Sequence, residues 1–191
     1  MGQCINNKGT HCVPYLAGYD TNLPFLLRTQ SHDAKVVVVV ALTNEQVKEV
    51  ALLRRALDLR QGGELLFLSG KVIKDDLPTN KEEKVNWTWE SIGKKAAIRE
   101  LNEELGIKVP LENITVKHGI FHQDSVDGIK LHFILCAAKL PEKTDSNFPE
   151  RNFSISSVEW QSMEELNRLQ PSPDEVFDKM REWLNPPTKT T

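Results

Sequence analysis

The sequence has too few cysteines, too widely scattered, for a disulfide framework or a zinc site. Cys4, Cys12 and Cys136 are the only three, and no two of them have zinc-like spacing backed by a second pair. An odd number also argues against a fold held together by disulfides. Cys136 lies within an apolar stretch and is expected to be a small buried side chain.

Long apolar runs and an excess of positive charge are also missing. The longest apolar run, residues 36–42, has the length of a strand and is too short to cross a bilayer. No hydrophobic signal-peptide core precedes it, which predicts a cytoplasmic or other intracellular protein. The net charge of −3 offers no general electrostatic basis for binding nucleic acid. Membrane contact is expected only if the N-terminus is lipidated on Gly2 and Cys4, although Asn6 stands where the myristoylation pattern has Ser or Thr.

The composition suits a single domain with a hydrophobic core, because 39% of the 191 residues are hydrophobic. Residues 1–33 lack periodicity and predict an irregular N-terminal arm, with a short strand near residues 25–27. Residues 186–191 begin with two prolines and predict a disordered tail. The domain is therefore expected to span residues 34–185.

Hydrophobic periodicity predicts strands and helices that follow one another through this domain. The continuous β-branched run at residues 35–42 is typical of a strand buried on both faces. A central helix is expected to be capped by Thr88 or Ser91 and to end near Gly106. Further strands are expected at residues 47–54, 65–68, 115–121, 130–139 and 157–160, with helices at 163–169 and 173–184. This order fits an α/β fold, a three-layer α/β/α sandwich around a mixed sheet.

The most informative segment is residues 98–107, which contains three closely spaced glutamates. Glu100, Glu103 and Glu104 stand at i, i+3 and i+4, so in a helix their carboxylates share one face. Such a face is often simply solvated. It becomes favourable when a hard divalent cation lies among the oxygens, and Mg²⁺ or Mn²⁺ is the natural candidate.

The order of residues in this segment resembles the core of the Nudix box. Arg-Glu-Leu-x-Glu-Glu-x-Gly-Ile, from Arg99 to Ile107, matches the second half of that box residue for residue. The resemblance extends loosely over residues 35–184. It implies the Nudix-type α/β/α sandwich and a hydrolase that cleaves a diphosphate linkage in a small-molecule substrate with Mg²⁺ or Mn²⁺.

The resemblance also implies a catalytic group composed of Glu100, Glu103, Glu104 and Arg99. Glu103 and Glu104 are the strongest candidates for metal ligands, and Glu100 is either a third ligand or the base that takes the proton of the attacking water. Arg99 is expected to hold the geometry of the site, with Glu103 or Glu90 as its partner.

Five further residues are candidates for binding the substrate. Arg54 and Arg55 end the second strand, Gly70 and Lys71 form the entry to the box, and Gln123 stands at a strand end. Each of the cationic side chains could equally be a solvated surface group.

The first half of the box departs from the family pattern. That pattern places a glycine five residues before its first glutamate, and this glutamate seven residues before the arginine. Here Gly70 is far upstream of Glu90, as if about fourteen residues were inserted, and Glu90 is one residue too far from Arg99. We predict that Gly93 delays the start of the regular helix to Ile92 or later. Glu90 would then fold back towards Arg99 and replace the first glutamate.

Several classes of compound are candidates for the substrate. A diphosphoinositol polyphosphate or dinucleoside polyphosphate ranks first, and a nucleotide sugar or nucleoside triphosphate second. A non-catalytic Nudix-fold module that binds nucleotide or phosphate is the alternative of another class. The polar residues 73–85 contain a proline and predict a surface loop that acts as a flap over the substrate pocket.

Overall fold

The computed structural model describes most of the domain and two short pieces before it. The described residues are 4–5, 11–12, 34–46, 48–58, 62–77, 88–117, 121–124, 130–140, 155–169 and 175–185. The expected strand near residues 25–27, the glycine at position 2 and the tail 186–191 lie outside these ranges.

The elements follow the predicted order. The strands are β1 (Cys4–Ile5), β2 (His11–Cys12), β3 (Ala34–Asn44), β4 (Glu49–Arg55), β5 (Leu65–Leu66), β6 (Leu68–Lys71), β7 (Ile114–Val116), β8 (Phe121–Asp124), β9 (Lys130–Lys139) and β10 (Ile155–Ser162). The helices are α1 (Trp89–Leu105), α2 (Met163–Arg168) and α3 (Glu175–Leu184), with 3₁₀ turns at Lys74–Asp76 and Leu111–Asn113. The strand expected at residues 115–121 is therefore two separate strands, β7 and β8.

The main sheet is mixed, as predicted, and β3 lies at its centre. β3 runs parallel to β9, while it is antiparallel to β6 over its first half and to β4 over its last residues. β10 extends the sheet beyond β4, and β7 and β8 both pair with β9. β5 pairs with β4, and among the described residues β1 and β2 form a separate two-stranded sheet.

Helices cover both faces of this sheet, which confirms the three-layer sandwich. Successive residues of a strand point to opposite faces. Val38, Val40 and Leu42 of β3 accordingly pack in the cluster that contains the apolar side of α1. Val39 and Ala41 pack in the other cluster, with residues of α2 and α3. The β-branched run is buried on both sides because each face has its own helical cover.

The glutamate-bearing helix α1 begins earlier than predicted. Thr88 is its N-cap, and Thr88 and Ser91 form a reciprocal capping box, so both candidate caps take part. Gly106 ends the helix with a φ of 69°, as expected. The prediction that Gly93 delays the helix to Ile92 is wrong. Gly93 lies within the helix, where an added Cβ would lie 2.7 Å from Cγ2 of Ile134, so this glycine permits close packing on β9.

Two further features concern the buried thiol and the length of the helices. Cys136 is fully buried and its thiol donates a hydrogen bond to the Gly93 carbonyl, which confirms its expected environment. Among the described residues, no helix has the length and apolar character needed to span a membrane.

Candidate active site

Helix α1 and the end of β6 bring the glutamates and the entry glycine together. Glu100 is buried, Glu104 is partly buried and Glu103 is exposed on the adjoining surface of the helix. A Cβ atom added to Gly70 would lie 1.8 Å from Cδ and Oε1 of Glu100. No residue with a side chain could occupy position 70 without displacing this carboxylate. Gly70 is therefore required by the close approach of Glu100.

Arg99 links the helix to the segment that follows β6. Its Nε and Nη2 donate to the two carboxylate oxygens of Asp76, at 2.9 Å each. Nη1 donates to Glu100 and to Glu103 at 2.7 Å each, and Nη2 also donates to the Lys71 carbonyl at 2.7 Å. The hydrogen bonds that Arg99 donates to Asp76 and to the two glutamates raise the pKa of Arg99 further above its ordinary value. The expected structural role of Arg99 and its pairing with Glu103 agree with these contacts.

Asp76 belongs to this group of side chains and is absent from the candidates that the sequence predicted. It is buried, with 2% of its surface exposed, and it also accepts a hydrogen bond from the Ile73 amide at 2.8 Å. Five residues separate it from Gly70, which is the spacing of the first glutamate in the family pattern. That spacing could have identified it, since aspartate carries the same carboxylate on a shorter side chain.

The position of Asp76 also corrects the interpretation of the insertion. Twenty-two residues separate Asp76 from Arg99, where the family pattern has seven, so the extra residues follow Asp76. The proposed substitute, Glu90, is exposed in the first turn of α1 and pairs with Lys94 at 2.8 Å. The hypothesis that Glu90 replaces the first glutamate is therefore wrong. The expected loop also begins later, because residues 74–76 form a 3₁₀ turn, and residues 78–85 lie outside the described residues.

The electrostatics of Glu100 suit a cation. Burial raises the pKa of Glu100, the charges of Glu103 and Glu104 raise it further, and Arg99 opposes this shift. The three glutamates supply carboxylate oxygens, the donors that Mg²⁺ and Mn²⁺ prefer. In the part of the chain that the structure describes, no three acidic, His or Cys side chains already form a metal site. Glu100 and Glu103 are hydrogen-bonded to Arg99, and the Glu103 side chain is exposed to solvent.

The two consecutive arginines of β4 have different environments. Nε and Nη2 of Arg54 donate to the carboxylate of Glu159 on β10, at 2.5 and 3.0 Å, and Nη1 donates to the Gly63 carbonyl at 2.6 Å. Arg54 thus joins β10 to the turn after β4, and these contacts do not support it as a substrate ligand. Arg55 lies near the glutamates, because it lines the same cavity as Glu104.

The remaining candidates are placed only in part. Lys71 is exposed beside Gly70, at the entry to the site, and its carbonyl binds Arg99. Gln123 lies on β8 opposite Leu131 of β9, and the structure describes only its backbone.

Comparison with known proteins agrees with this geometry. The model of the NUDIX domain matches residues 33–184. The chain therefore belongs to the NUDIX family. Members of this family generally use divalent metal cations. No curated protein matches the sequence.

Solved structures show the same fold at low sequence identity. The MutT protein from Methanosarcina mazei Go1 matches with a TM-score of 0.55 and 20% identity, over 79% of this chain and 92% of that chain. The MutT NUDIX hydrolase from Burkholderia pseudomallei has a TM-score of 0.53 and 16% identity, over 78% and 96%. The E. coli dihydroneopterin triphosphate pyrophosphohydrolase has a TM-score of 0.52 and 17% identity, over 78% and 92%.

Proposed function

We propose that this protein hydrolyses a diphosphate linkage in a small-molecule substrate with Mg²⁺, for which Mn²⁺ is the alternative. The observation that supports this most directly is the set of three glutamates on one side of α1. They lie beside Gly70, where an added Cβ atom would clash with the Glu100 carboxylate. Glu103 and Glu104 would hold the cation, with Glu100 as a third ligand or as the base. When bound, the cation neutralises phosphate charge and acidifies a water molecule.

The other residues of the site have supporting roles. Burial raises the pKa of Glu100, and a more basic carboxylate is a better acceptor for the proton of a water molecule. Arg99 is bonded to Asp76, Glu100, Glu103 and a backbone carbonyl, so it positions α1 against the loop after β6. Lys71 and Arg55 are the cationic side chains that we propose as substrate contacts, together with Gln123.

The substrate belongs to one of the classes that the sequence favoured. These are diphosphoinositol polyphosphates and dinucleoside polyphosphates, followed by nucleotide sugars and nucleoside triphosphates. A structural relative is named for a pterin triphosphate, so heterocyclic triphosphates belong in the same test. A non-catalytic binding module is the second candidate, and it would bind such compounds without releasing phosphate.

The test is phosphate release from this panel of compounds, with and without Mg²⁺. Glu103→Gln and Glu104→Gln should each lower kcat by at least about a hundredfold, because a charged metal ligand is lost. Circular dichroism should show an intact fold. Glu112→Gln is the matched control, since Glu112 is exposed in the 3₁₀ turn Leu111–Asn113 and is not one of the three glutamates of the site. Wild-type rates in both site variants would overturn the assignment, and binding without hydrolysis by the wild type would indicate the binding module.

A further inference from the structure

A cavity of about 190 Å³ adjoins the glutamates. Its polar lining consists of Arg55, Ser69 and Glu104. Glu104 belongs to the candidate metal ligands, and Ser69 precedes the glycine that touches Glu100. The cavity is therefore next to the place where the diphosphate would lie, and a group attached to that diphosphate can reach it.

Arg55, which lines the cavity, has a hydrogen-bond donor that is not used within the described part of the chain. Its Nε is buried and has no hydrogen-bond partner among the described residues. Buried polar groups in proteins nearly always have a partner, so each exception needs an explanation. Arg54 provides the contrast within the same strand, since its three nitrogens are bonded to Glu159 and Gly63. An acceptor supplied by a ligand would satisfy Arg55, as a water molecule can before the ligand arrives.

The other walls of the cavity are apolar. They are formed by Leu53, Leu66, Phe67, Leu68 and Ile155. Burying several phosphates against such walls would carry a large desolvation penalty, which one arginine cannot offset beside a glutamate. An uncharged ring can be buried there favourably, because apolar surface of both the ring and the cavity is then removed from water. The cavity is also smaller than the roughly 300–1,000 Å³ of pockets that hold a whole drug-sized ligand. It therefore suits one group of a substrate.

We propose that Arg55 is a specificity-determining residue and that this cavity receives an uncharged ring with a hydrogen-bond acceptor, attached to the diphosphate. A nucleobase has this chemistry, whereas a polyphosphorylated inositol ring does not. This inference rests on the proposed function, and it selects among the substrate classes named there. Arg55 recognises the ring, while the glutamates of α1 act on the diphosphate.

The test separates recognition of the ring from recognition of the diphosphate. We would measure the Kd of two non-hydrolysable probes by calorimetry in the presence of Mg²⁺. One probe is a methylene-bridged purine nucleoside diphosphate, and the other is methylenediphosphonate, which has no ring. In Arg55→Met, the Kd of the nucleotide probe should rise about tenfold, as expected for the loss of one hydrogen bond to a charged donor. The Kd of methylenediphosphonate should stay within about twofold.

Two further variants make the result interpretable. Arg168→Met is the matched control, because Arg168 is exposed on α2 at the opposite face of the sheet and should change neither Kd. Leu66→Trp keeps Arg55 and fills the cavity, so it should raise the Kd of the nucleotide probe and leave the Kd of methylenediphosphonate unchanged. This variant tests the proposal even if Arg55→Met does not fold.

Three results would overturn the proposal. An equal rise for both probes in Arg55→Met would make Arg55 a phosphate ligand, and no change in either would leave it without a role. Wild-type protein that binds only methylenediphosphonate would show that the cavity takes no ring. The proposed function is tested independently of these results, because phosphate release by the wild type is measured in a separate assay.

Discussion

Removing Asp76 should destabilise the protein, because the aspartate forms a desolvated pair with Arg99. Only 3% of the Asp76 side chain and 18% of the Arg99 side chain are exposed. Breaking a buried ion pair by removing one partner costs about 3–5 kcal/mol. Arg99 keeps its bonds to Glu100, Glu103 and a backbone carbonyl. We therefore expect Asp76→Ala to lower the free energy of unfolding by about 3 kcal/mol, the lower end of that range.

Urea unfolding of a double-mutant cycle measures the interaction between the two residues. Asp76→Ala, Arg99→Ala and the double variant should show a coupling energy of at least about 1 kcal/mol, as residues in one ion-pair network do. A second cycle with Glu90→Ala and Arg99→Ala is the control. Glu90 pairs with Lys94, so this cycle should be additive within about 0.5 kcal/mol. Additivity for Asp76, or a larger coupling for Glu90, would refute the assignment of Asp76 to the first position of the box.

Three more predictions concern Gly70, Cys136 and the expected loop before α1. Gly70→Ala should lower kcat at least about tenfold with the fold retained, because the new methyl group displaces the Glu100 carboxylate, and wild-type kcat would contradict this. Burial raises the pKa of the Cys136 thiol to about 12, so iodoacetamide at pH 8 should modify it only after unfolding in urea, as peptide mass spectrometry would show. Labelling of the folded protein would disprove its burial. Replacing residues 78–85 of the expected loop with a short turn should change KM or substrate preference more than Tm, and unaltered kinetics would exclude a flap.

Local sequence patterns correctly predict the central strand and, in part, the helix that carries the glutamates. Residues 35–42 predicted a doubly buried strand, and β3 has helices over both of its faces. The capping residues of α1 predict both of its ends, whereas the low helix propensity of Gly93 predicts a start at Ile92 or later, and this second prediction is wrong. Gly93 is tolerated inside the helix because its missing Cβ permits the close contact with Ile134. Propensity is a weak guide when tertiary packing decides a position.

The α/β/α class, the helix with three glutamates on one side and the family are all predictable from the amino-acid order, because they depend on spacing within single elements. The packing of the elements establishes which carboxylate holds Arg99 and which of two adjacent arginines lines the cavity. Asp76 and Arg99 are 23 positions apart, and Arg54 and Glu159 are 105 apart. Such pairings depend on how the elements pack against one another. A local pattern contains no information about that packing, so these contacts appear only when the sheet and α1 are assembled.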